Sequence, residues 1–473
     1  MASTRVLASR LASQMAASAK VARPAVRVAQ VSKRTIQTGS PLQTLKRTQM
    51  TSIVNATTRQ AFQKRAYSSA AMADVYLDNN ATTRVDDEIV QAMLPFFTEQ
   101  FGNPSSLHSF GNQVGMALKK ARQSVQKLLG AEHDSEIVFT SCGTESDSTA
   151  ILSALKAQPE RKTVITTVVE HPAVLSLCDY LASEGYTVHK LPVDKKGRLD
   201  LEHYASLLTD DVAVVSVMWA NNETGTLFPI EEMARLADDA GIMFHTDAVQ
   251  AVGKVPIDLK NSSIHMLSLS GHKLHAPKGV GVLYLRRGTR FRPLLRGGHQ
   301  ERGRRAGTEN AASIIGLGVA AERALQFMEH ENTEVKRLRD KLEAGILAVV
   351  PHAFVTGDPD NRLPNTANIA FEYIEGEAIL LLLNKVGIAA SSGSACTSGS
   401  LEPSHVMRAM DIPYTAAHGT VRFSLSRYTT EEEIDRVIRE VPPIVAQLRK
   451  LSPYWSGNGP VEDPGKAFAP VYG

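Results

Sequence analysis

Strand-like and helix-like segments alternate along the middle of the chain, between residues 137 and 285. The strand-like segments are short apolar runs, and helical stretches such as Ala173–Glu184 and Glu231–Ala240 lie between most of them. This alternation predicts a mostly parallel sheet with helices on both faces. The predicted strands are Ile137–Thr140, Thr163–Val168, Tyr186–Leu191, Val212–Met218, Ile242–His245, Met266–Leu269 and Val280–Leu285.

The last of these strands is predicted to be antiparallel, because too few residues precede it for a helical crossover. Helices are predicted upstream of the sheet at Asp86–Phe97 and Asn112–Leu129. A loop rich in Arg and Gly follows the sheet from Arg286 to Gly307, and a long helical region then runs to about Val350. These features predict a large α/β domain followed by a bridging helical region.

A smaller domain is predicted at the C-terminal end, with short strands at Ala367–Phe371 and Thr420–Leu425. A capping box at Thr430–Glu433 opens a helix that Pro442-Pro443 is expected to interrupt. The predicted organisation is a presequence at residues 1–71, a segment at 72–85 that joins the small domain, a large domain at 86–334 and a small domain at 335–473.

The first 73 residues contain twelve Lys or Arg and no Asp or Glu, and Leu7, Leu11 and Met15 can share one helical face. This composition predicts a mitochondrial matrix presequence cut near Tyr67, with a disordered basic tail as the alternative. The leader resembles the presequence of the ATP-synthase proteolipid subunit, and Met72 follows it as an original start residue would. The resemblance implies an engineered fusion to a foreign, bacterial-type cytoplasmic enzyme.

Charge, hydropathy and cysteine content exclude several classes of protein. Without the leader the chain has 40 basic and 49 acidic residues, which gives no reason to expect nucleic-acid binding. No apolar run reaches the roughly 18 residues that a membrane span needs. Three separated cysteines, Cys142, Cys178 and Cys396, do not form a disulfide framework.

Polar residues follow five of the seven predicted strands, and an open parallel sheet binds ligands beyond the carboxyl ends of its strands. A turn of small residues from Ser141 to Ser146 opens a helix, whose backbone amides together with Thr144 suit a phosphate. Alone, each polar residue could be a helix cap, a turn residue or a surface charge. The other candidates at these strand ends are His171, Asn222, Asp247, Gln250, Ser270, His272 and Lys273.

Together these residue types predict pyridoxal 5′-phosphate as the cofactor. An amine held close to a buried strand loses hydration, so Lys273 is suited to bind an aldehyde covalently. The carboxylate of Asp247 suits the pyridinium nitrogen, with a helix cap as its alternative role. The ring of His171 can stack on the cofactor, and the turn at Thr144 can hold its phosphate.

Several motifs resemble those of the cysteine desulfurases, which are pyridoxal phosphate enzymes of the class V aminotransferase group. The resemblance extends from about Ala73 to the C-terminus, and Met218–Asn222 with Ala467–Gly473 resemble the nitrogen-fixation (NifS) type. It implies fold type I of the pyridoxal phosphate-dependent transferases, with a mostly parallel seven-stranded sheet and a smaller α+β domain. The motifs are Tyr76–Thr83, Gly102–Ser106, Asn221–Gly225, Ser270–Lys273 and Ser391–Cys396.

The resemblance also implies roles for individual residues. Lys273 binds the cofactor covalently, His171 stacks on its ring and moves a proton, and Asp247 pairs with the ring nitrogen. Asn222 and Gln250 contact the phenolate oxygen, while Asn222 and Arg422 bind the substrate carboxylate. The residues implied to hold the phosphate are Thr144, Ser270 and His272, with Thr308 reaching the phosphate of the neighbouring subunit in a homodimer. Gly143 and Gly271 are also implied to bind the cofactor.

Cys396 distinguishes this chain from a plain aminotransferase, because the small polar residues around it predict a mobile loop. The resemblance implies that its thiolate attacks the sulfur of L-cysteine, leaving a persulfide on Cys396 and L-alanine. The sulfur then passes to an iron–sulfur scaffold protein or a reductant, and Cys396 is also implied as a transient cluster ligand. Cys142, where many relatives differ, is interpreted as a packing residue, and Cys178 as core.

Three other functions stay open from the sequence. One is a selenocysteine lyase, which would act on selenocysteine with little activity on L-cysteine. Another is a sulfur-relay partner that holds pyridoxal phosphate, docks tightly to a scaffold and has little activity alone. The third is an aminotransferase, which would accept a keto acid and form pyridoxamine phosphate.

Overall fold

The computed structural model describes residues 74–392, 402–457 and 459–461. The Cys396 loop and the leader lie outside these residues. The strands are β1 Val75–Tyr76, β2 Ile137–Thr140, β3 Thr163–Thr167, β4 Thr187–Leu191, β5 Val212–Ser216, β6 Met243–Asp247, β7 Met266–Ser270, β8 Gly281–Leu285, β9 Ala353–Val355, β10 Thr366–Phe371, β11 Ile388–Ala389, β12 Thr420–Ser424, β13 Trp455–Ser456 and β14 Gly459–Pro460.

The helices begin and end close to the predicted positions, although the first predicted helix is divided at Leu94. The helices are α1 Asp87–Met93, α2 Pro95–Thr98, α3 Ser109–Leu128, α4 Gly143–Ala157, α5 Pro172–Ser183, α6 Leu201–Ser206, α7 Ile230–Asp239, α8 Ala311–His330, α9 Lys336–Leu347, α10 Gly376–Lys385, α11 His405–Ala409, α12 Tyr414–Ala417 and α13 Glu431–Leu451. No helix in the described segments has the length and apolar content to cross a membrane.

The central sheet has seven strands in the order β2-β8-β7-β6-β5-β3-β4. Every neighbouring pair is parallel except the two that involve β8, so the predicted mostly parallel sheet and its antiparallel strand are confirmed. The residues of β5, β6 and β7 are all buried. Both faces of a parallel sheet must be covered, which explains why β5 is apolar up to Ser216 and why even the polar residues of β6 and β7 are buried.

A second core lies around the small antiparallel sheet β12-β10-β9. Val75 and Leu77, from the beginning of the described chain, pack in this core with residues of α9, β10, β12 and α13. Strand β1 also pairs in parallel with β11. The N-terminal segment therefore packs with C-terminal elements, while the residue bounds of the predicted domains stay predictions.

The predicted interruption at Pro442-Pro443 is wrong, because α13 continues through both prolines to Leu451. The capping box at Thr430 and Glu433 is present as predicted. Proline removes a backbone hydrogen bond but does not prevent a helix when packing compensates. Here one face of α13 is buried in the second core on both sides of the prolines, through Ile434, Val437, Val441, Ile444 and Val445.

Candidate active site

A cavity of about 300 Å³ lies beyond the carboxyl ends of the parallel strands. It is the place where an open parallel sheet is expected to bind a ligand. The structure brings most of the sequence-predicted site residues to this one cavity. Those that line it are Gly143, Thr144, His171, Asn222, Asp247, Gln250, Ser270, His272, Lys273 and Arg422.

Lys273 ends the 3₁₀ turn that follows β7. Its amine donates hydrogen bonds to the backbone carbonyl oxygens of Asn80 and Ala81, the latter at 2.7 Å. Burial, and then the charges of Arg422 and Lys254, lower the pKa of Lys273 to about 7. Roughly half of the amine is therefore uncharged at neutral pH, and an uncharged amine is nucleophilic.

Asp247 is the last residue of β6 and is buried, and one of its carboxylate oxygens accepts a 2.9 Å hydrogen bond from the Val249 N–H. Burial raises the pKa of Asp247. Asp147 on α4 also lines the cavity, and burial followed by the charge of Asp247 raises its pKa well above the usual range. Two carboxylates so close together cannot both be ionised without a compensating cation. The pair therefore favours a cationic group bound at Asp247.

His245 lies beside these acids but does not supply that cation. Its Nδ1 is 2.9 Å from Ser216 Oγ, its Nε2 is 2.9 Å from Ser268 Oγ, and 3.7 Å separates Nε2 from Asp147 Oδ1. Burial lowers the pKa of His245 to about 3, so the ring is neutral at physiological pH. The negative charge of the ionised carboxylate in this pair is thus left for a ligand to balance.

The N-terminus of α4 faces the cavity next to β7. No side chain caps this helix, so its first backbone amides are available to an anion. A Cβ atom on Gly143 would lie only 2.9 Å from Val249 Cγ2, so a side chain would crowd the cradle. His272 is neutral, since burial and the charge of Lys273 lower its pKa to about 4, and its Nδ1 lies 3.1 Å from Thr82 Oγ1.

Arg422 reaches the same cavity from β12 of the small sheet and is only 2% exposed. Its guanidinium donates 2.8 Å hydrogen bonds to the Asn222 carbonyl oxygen and to Asp78 Oδ1. The Nε atom of Arg422 has no partner among the described residues. A buried donor without a partner is uncommon in folded proteins, and a carboxylate ligand would satisfy it.

Three predicted site residues are not placed in the cavity. Gly271 does not line the cavity. Its glycine has a packing role, because a Cβ there would lie only 2.8 Å from Val280 Cγ1 and the chain at residue 271 passes close to Val280. Thr308 is exposed and lies outside the cavity lining. Cys396 lies outside the described residues. Among the residues that the structure describes, no group of three or more His, Cys, Asp or Glu could hold a metal ion.

The other two cysteines lie in different environments, and only Cys178 lies in a packed core as interpreted. Cys178 is fully buried in a core cluster, and burial raises the pKa of its thiol to about 12, so it is not reactive. Cys142 is half-buried and lines the cavity, with Ser141 Oγ 3.7 Å from its sulfur.

Sequence reasoning did not assign a role to several residues that line the cavity. Three of them lie in motifs or at strand ends that already indicated a site, so their place in the sequence could have identified them: Asn80, Met218 and Glu223. Asp147 carried a different signal, an acid on the buried face of α4. His405 begins a short helix capped by Ser404, and nothing local to that segment indicated that it would meet the sheet.

The site fits pyridoxal phosphate on four observations. About half of the Lys273 amine is uncharged at neutral pH, the paired acids need a cation, and the uncapped α4 N-terminus can take an anion. Gln250 Oε1 is a buried acceptor without a partner in the described part of the chain, as a contact of the cofactor could explain. These are the groups that such a cofactor requires.

Together the seven-stranded sheet and this site define a pyridoxal phosphate-dependent enzyme of fold type I. The family profile described as "Aminotransferase class-V" matches residues 75–437. The cysteine desulfurase NifS of Azotobacter vinelandii is 98% identical over 402 residues, which are 85% of this chain and 100% of that protein.

Two solved structures extend the comparison. A NifS-like protein has a TM-score of 0.75 at 39% identity, covering 79% of this chain and all of its own. SspA in complex with cysteine has a TM-score of 0.66 at 33% identity, covering 75% of this chain and 100% of its own. The chain therefore belongs to the cysteine desulfurases of the class V aminotransferase family.

Proposed function

We propose that the protein converts L-cysteine to L-alanine and transfers the sulfur to Cys396 as a persulfide, supplying iron–sulfur cluster assembly of the nitrogenase type. The observation that carries this proposal is the pairing of two groups in one cavity. Lys273 offers an amine that is about half uncharged at neutral pH, and Arg422 offers a buried guanidinium with one donor that has no partner among the described residues. Between them they can hold and deprotonate an amino acid.

Each residue has a task that its environment supports. Arg422 and Asn222 bind the substrate carboxylate, since a planar guanidinium fits a carboxylate. Lys273 then accepts the α-proton at Nζ, because its amine is uncharged near neutral pH. Bound pyridoxal phosphate supplies the electron sink for the resulting negative charge. Asp247 keeps a proton on the ring nitrogen, and the ring of His171 limits where the cofactor can lie.

The phosphate would be held by Gly143, Thr144, Ser270 and His272, with Gln250 on the phenolate side. Cys396 supplies the step that a plain aminotransferase lacks. Its thiolate attacks the sulfur of the substrate, so that an S–S bond forms as the C–S bond breaks. The electron pair of the broken bond stays with Cβ, which takes up a proton equivalent to the one that Cys396 released on forming its thiolate, and Lys273 returns the α-proton to give L-alanine.

The test is an assay of sulfide and alanine together. Purified protein with L-cysteine, pyridoxal phosphate and dithiothreitol should release the two products in equal amounts. Cys396→Ala should keep the bound cofactor yet lose sulfide release, and Lys273→Ala should lose covalent attachment of the cofactor after borohydride reduction. Undiminished sulfide release by Cys396→Ala would refute the transfer step.

We also propose that the protein is a homodimer. Six large apolar side chains between the beginning of α1 and the middle of α3 are 49% to 103% exposed, which is unusual for one stretch of a monomer. The occupant that we propose for this surface is a second copy, because the family resemblance implies a homodimer in which Thr308 reaches the partner's site. The side chains are Leu94, Phe97, Phe101, Leu107, Phe110 and Met116.

Mixed dimers test this arrangement. Coexpression of the Lys273→Ala and Thr308→Ala chains should yield mixed dimers. One of their two sites then combines Lys273 from one chain with Thr308 from the other, and that site should bind the cofactor with wild-type affinity. If Thr308 served its own subunit, the surviving site would keep the weakened affinity of Thr308→Ala. Phe101→Asp should shift the mass measured by light scattering toward the monomer.

We propose further that residues 1–71 are a mitochondrial presequence that directs the enzyme to the matrix. The match to the Azotobacter vinelandii relative covers 402 of 473 residues, which leaves 71 outside it. Those N-terminal residues are basic and lack acid, as import requires. N-terminal sequencing of matrix protein should find a terminus between about Tyr67 and Met72, whereas Met1 would refute the targeting.

A further inference from the structure

The ring nitrogens of His171 can be assigned without ambiguity from one hydrogen bond. Nδ1 of His171 caps α5 by accepting from the backbone N–H of Ala173 at 3.1 Å. A backbone N–H can only donate, so Nδ1 must carry a lone pair and no proton. Burial lowers the pKa of His171, so the neutral ring holds its single proton on Nε2. In this state His171 can donate from Nε2, but it has no lone pair free to take a proton.

In His405 it is Nε2, and not Nδ1 as in His171, that faces the protein backbone. Nε2 of His405 lies 3.0 Å from the backbone carbonyl oxygen of Glu170, which can only accept, so Nε2 is the donor. In the neutral ring the other nitrogen, Nδ1, therefore carries the lone pair. Nδ1 has no hydrogen-bond partner among the described residues, and His405 lines the cavity beside His171. Of the two histidines at the cavity, His405 is the one that can accept a proton.

The reaction needs such an acceptor when the substrate enters. L-Cysteine arrives largely as the ammonium form at neutral pH, and only the free amine is nucleophilic. The free amine of Lys273 would not be available for this proton while Lys273 holds the cofactor. We propose that His405 accepts a proton from the ammonium group of bound L-cysteine: the N–H bond breaks, its electron pair stays on the substrate nitrogen, and the proton bonds to Nδ1.

The groups around His405 are consistent with a change of charge there. Glu223 and His171 face it from neighbouring segments, Arg422 from β12, and Arg408 lies on its own helix. Glu223 accepts a 2.6 Å hydrogen bond from Ser404 Oγ. A carboxylate beside His405 would stabilise the imidazolium that forms.

Two substitutions separate the proposed role from a structural one. His405→Gln keeps a donor near the Nε2 position for the Glu170 carbonyl oxygen but removes the Nδ1 lone pair. His171→Asn is the matched control, because its Oδ1 can still accept from the Ala173 N–H. This inference rests on the proposed function, so wild-type protein must first release alanine and sulfide from L-cysteine.

His405→Gln should lower kcat/KM for L-cysteine about 10²-fold at pH 7, the lower end of what general acid–base groups contribute. The loss should shrink by about six- to ten-fold between pH 7 and pH 9, because the fraction of substrate that already carries a free amine rises by that factor. His171→Asn should show no such recovery with pH. A loss in His405→Gln that is the same at both pH values would overturn the proposal.

A measurement on the wild-type protein needs no activity. With ¹⁵N-labelled histidine, both His171 and His405 should show a protonated Nε2 and an unprotonated Nδ1, with resonances assigned from the two variants. A protonated Nδ1 on His405 would overturn the proposal even if the enzyme is fully active. Absence of alanine and sulfide from wild type would instead refute the proposed function.

Discussion

The uncharged amine of Lys273 leads to a prediction about how the apoprotein takes up pyridoxal phosphate. Lowering the pKa from 10.5 to about 7 corresponds to roughly 5 kcal/mol of preference for the neutral amine. At pH 8 about nine-tenths of the amine would be uncharged, against well under a hundredth for an ordinary lysine. Only the uncharged amine attacks an aldehyde, so the rate of covalent uptake should follow this fraction.

The rate of uptake, followed by absorbance in stopped flow, should rise about ten-fold between pH 6 and pH 9, with nearly all of the rise below pH 8. The same reaction with the amino acid lysine, its α-amino group blocked, corrects for the ionisation of the cofactor. The Lys273→Ala variant should give no covalent signal. A rate that keeps rising about ten-fold per pH unit up to pH 9 would refute the reasoning, because that is the behaviour of a solvated amine.

Three further substitutions have expected outcomes. Arg422→Lys should raise KM for L-cysteine about 10- to 100-fold in steady-state assays, since an ammonium cannot replace the bidentate contact. Glu301→Gln should lower the urea-unfolding free energy by about 3–5 kcal/mol, because Arg122, with which Glu301 pairs at 2.7 Å, would keep a buried charge. Burial raises the pKa of Glu170 from 4.5 to about 8, so folding takes up a proton between these values and stability falls as pH rises. The unfolding free energy of the wild type should therefore fall by about 3 kcal/mol relative to that of Glu170→Gln from pH 5 to pH 8. A difference in unfolding free energy between the two proteins that does not change with pH would contradict this.

The sheet and much of the site could be predicted because both depend on local patterns. Buried parallel strands must be continuous apolar runs, and the polar residues that follow them must meet at one edge. Lys273, Asp247 and His171 were predicted in this way, and all three line one cavity. The resemblance, rather than any local pattern, supplied Arg422, which reaches the cavity from a different sheet.

The residues that were missed depend on packing between distant segments. Asp147 lies inside α4 and faces Asp247 only because that helix packs on β6 and β7. His405 meets the carbonyl oxygen of Glu170 across 235 positions of sequence. The uninterrupted helix α13 has the same origin, because burial along one face outweighs the local effect of two prolines.

Mass spectrometry of the protein can detect the proposed transfer of sulfur from L-cysteine to Cys396 without relying on released products. The holoenzyme is mixed with one equivalent of L-cysteine in the absence of any reductant, alkylated, digested and analysed peptide by peptide. One added sulfur atom is expected on the peptide that contains Cys396, together with one equivalent of L-alanine. Alanine formed with the added sulfur on Cys142, or with no added sulfur on any cysteine, would contradict the proposed transfer.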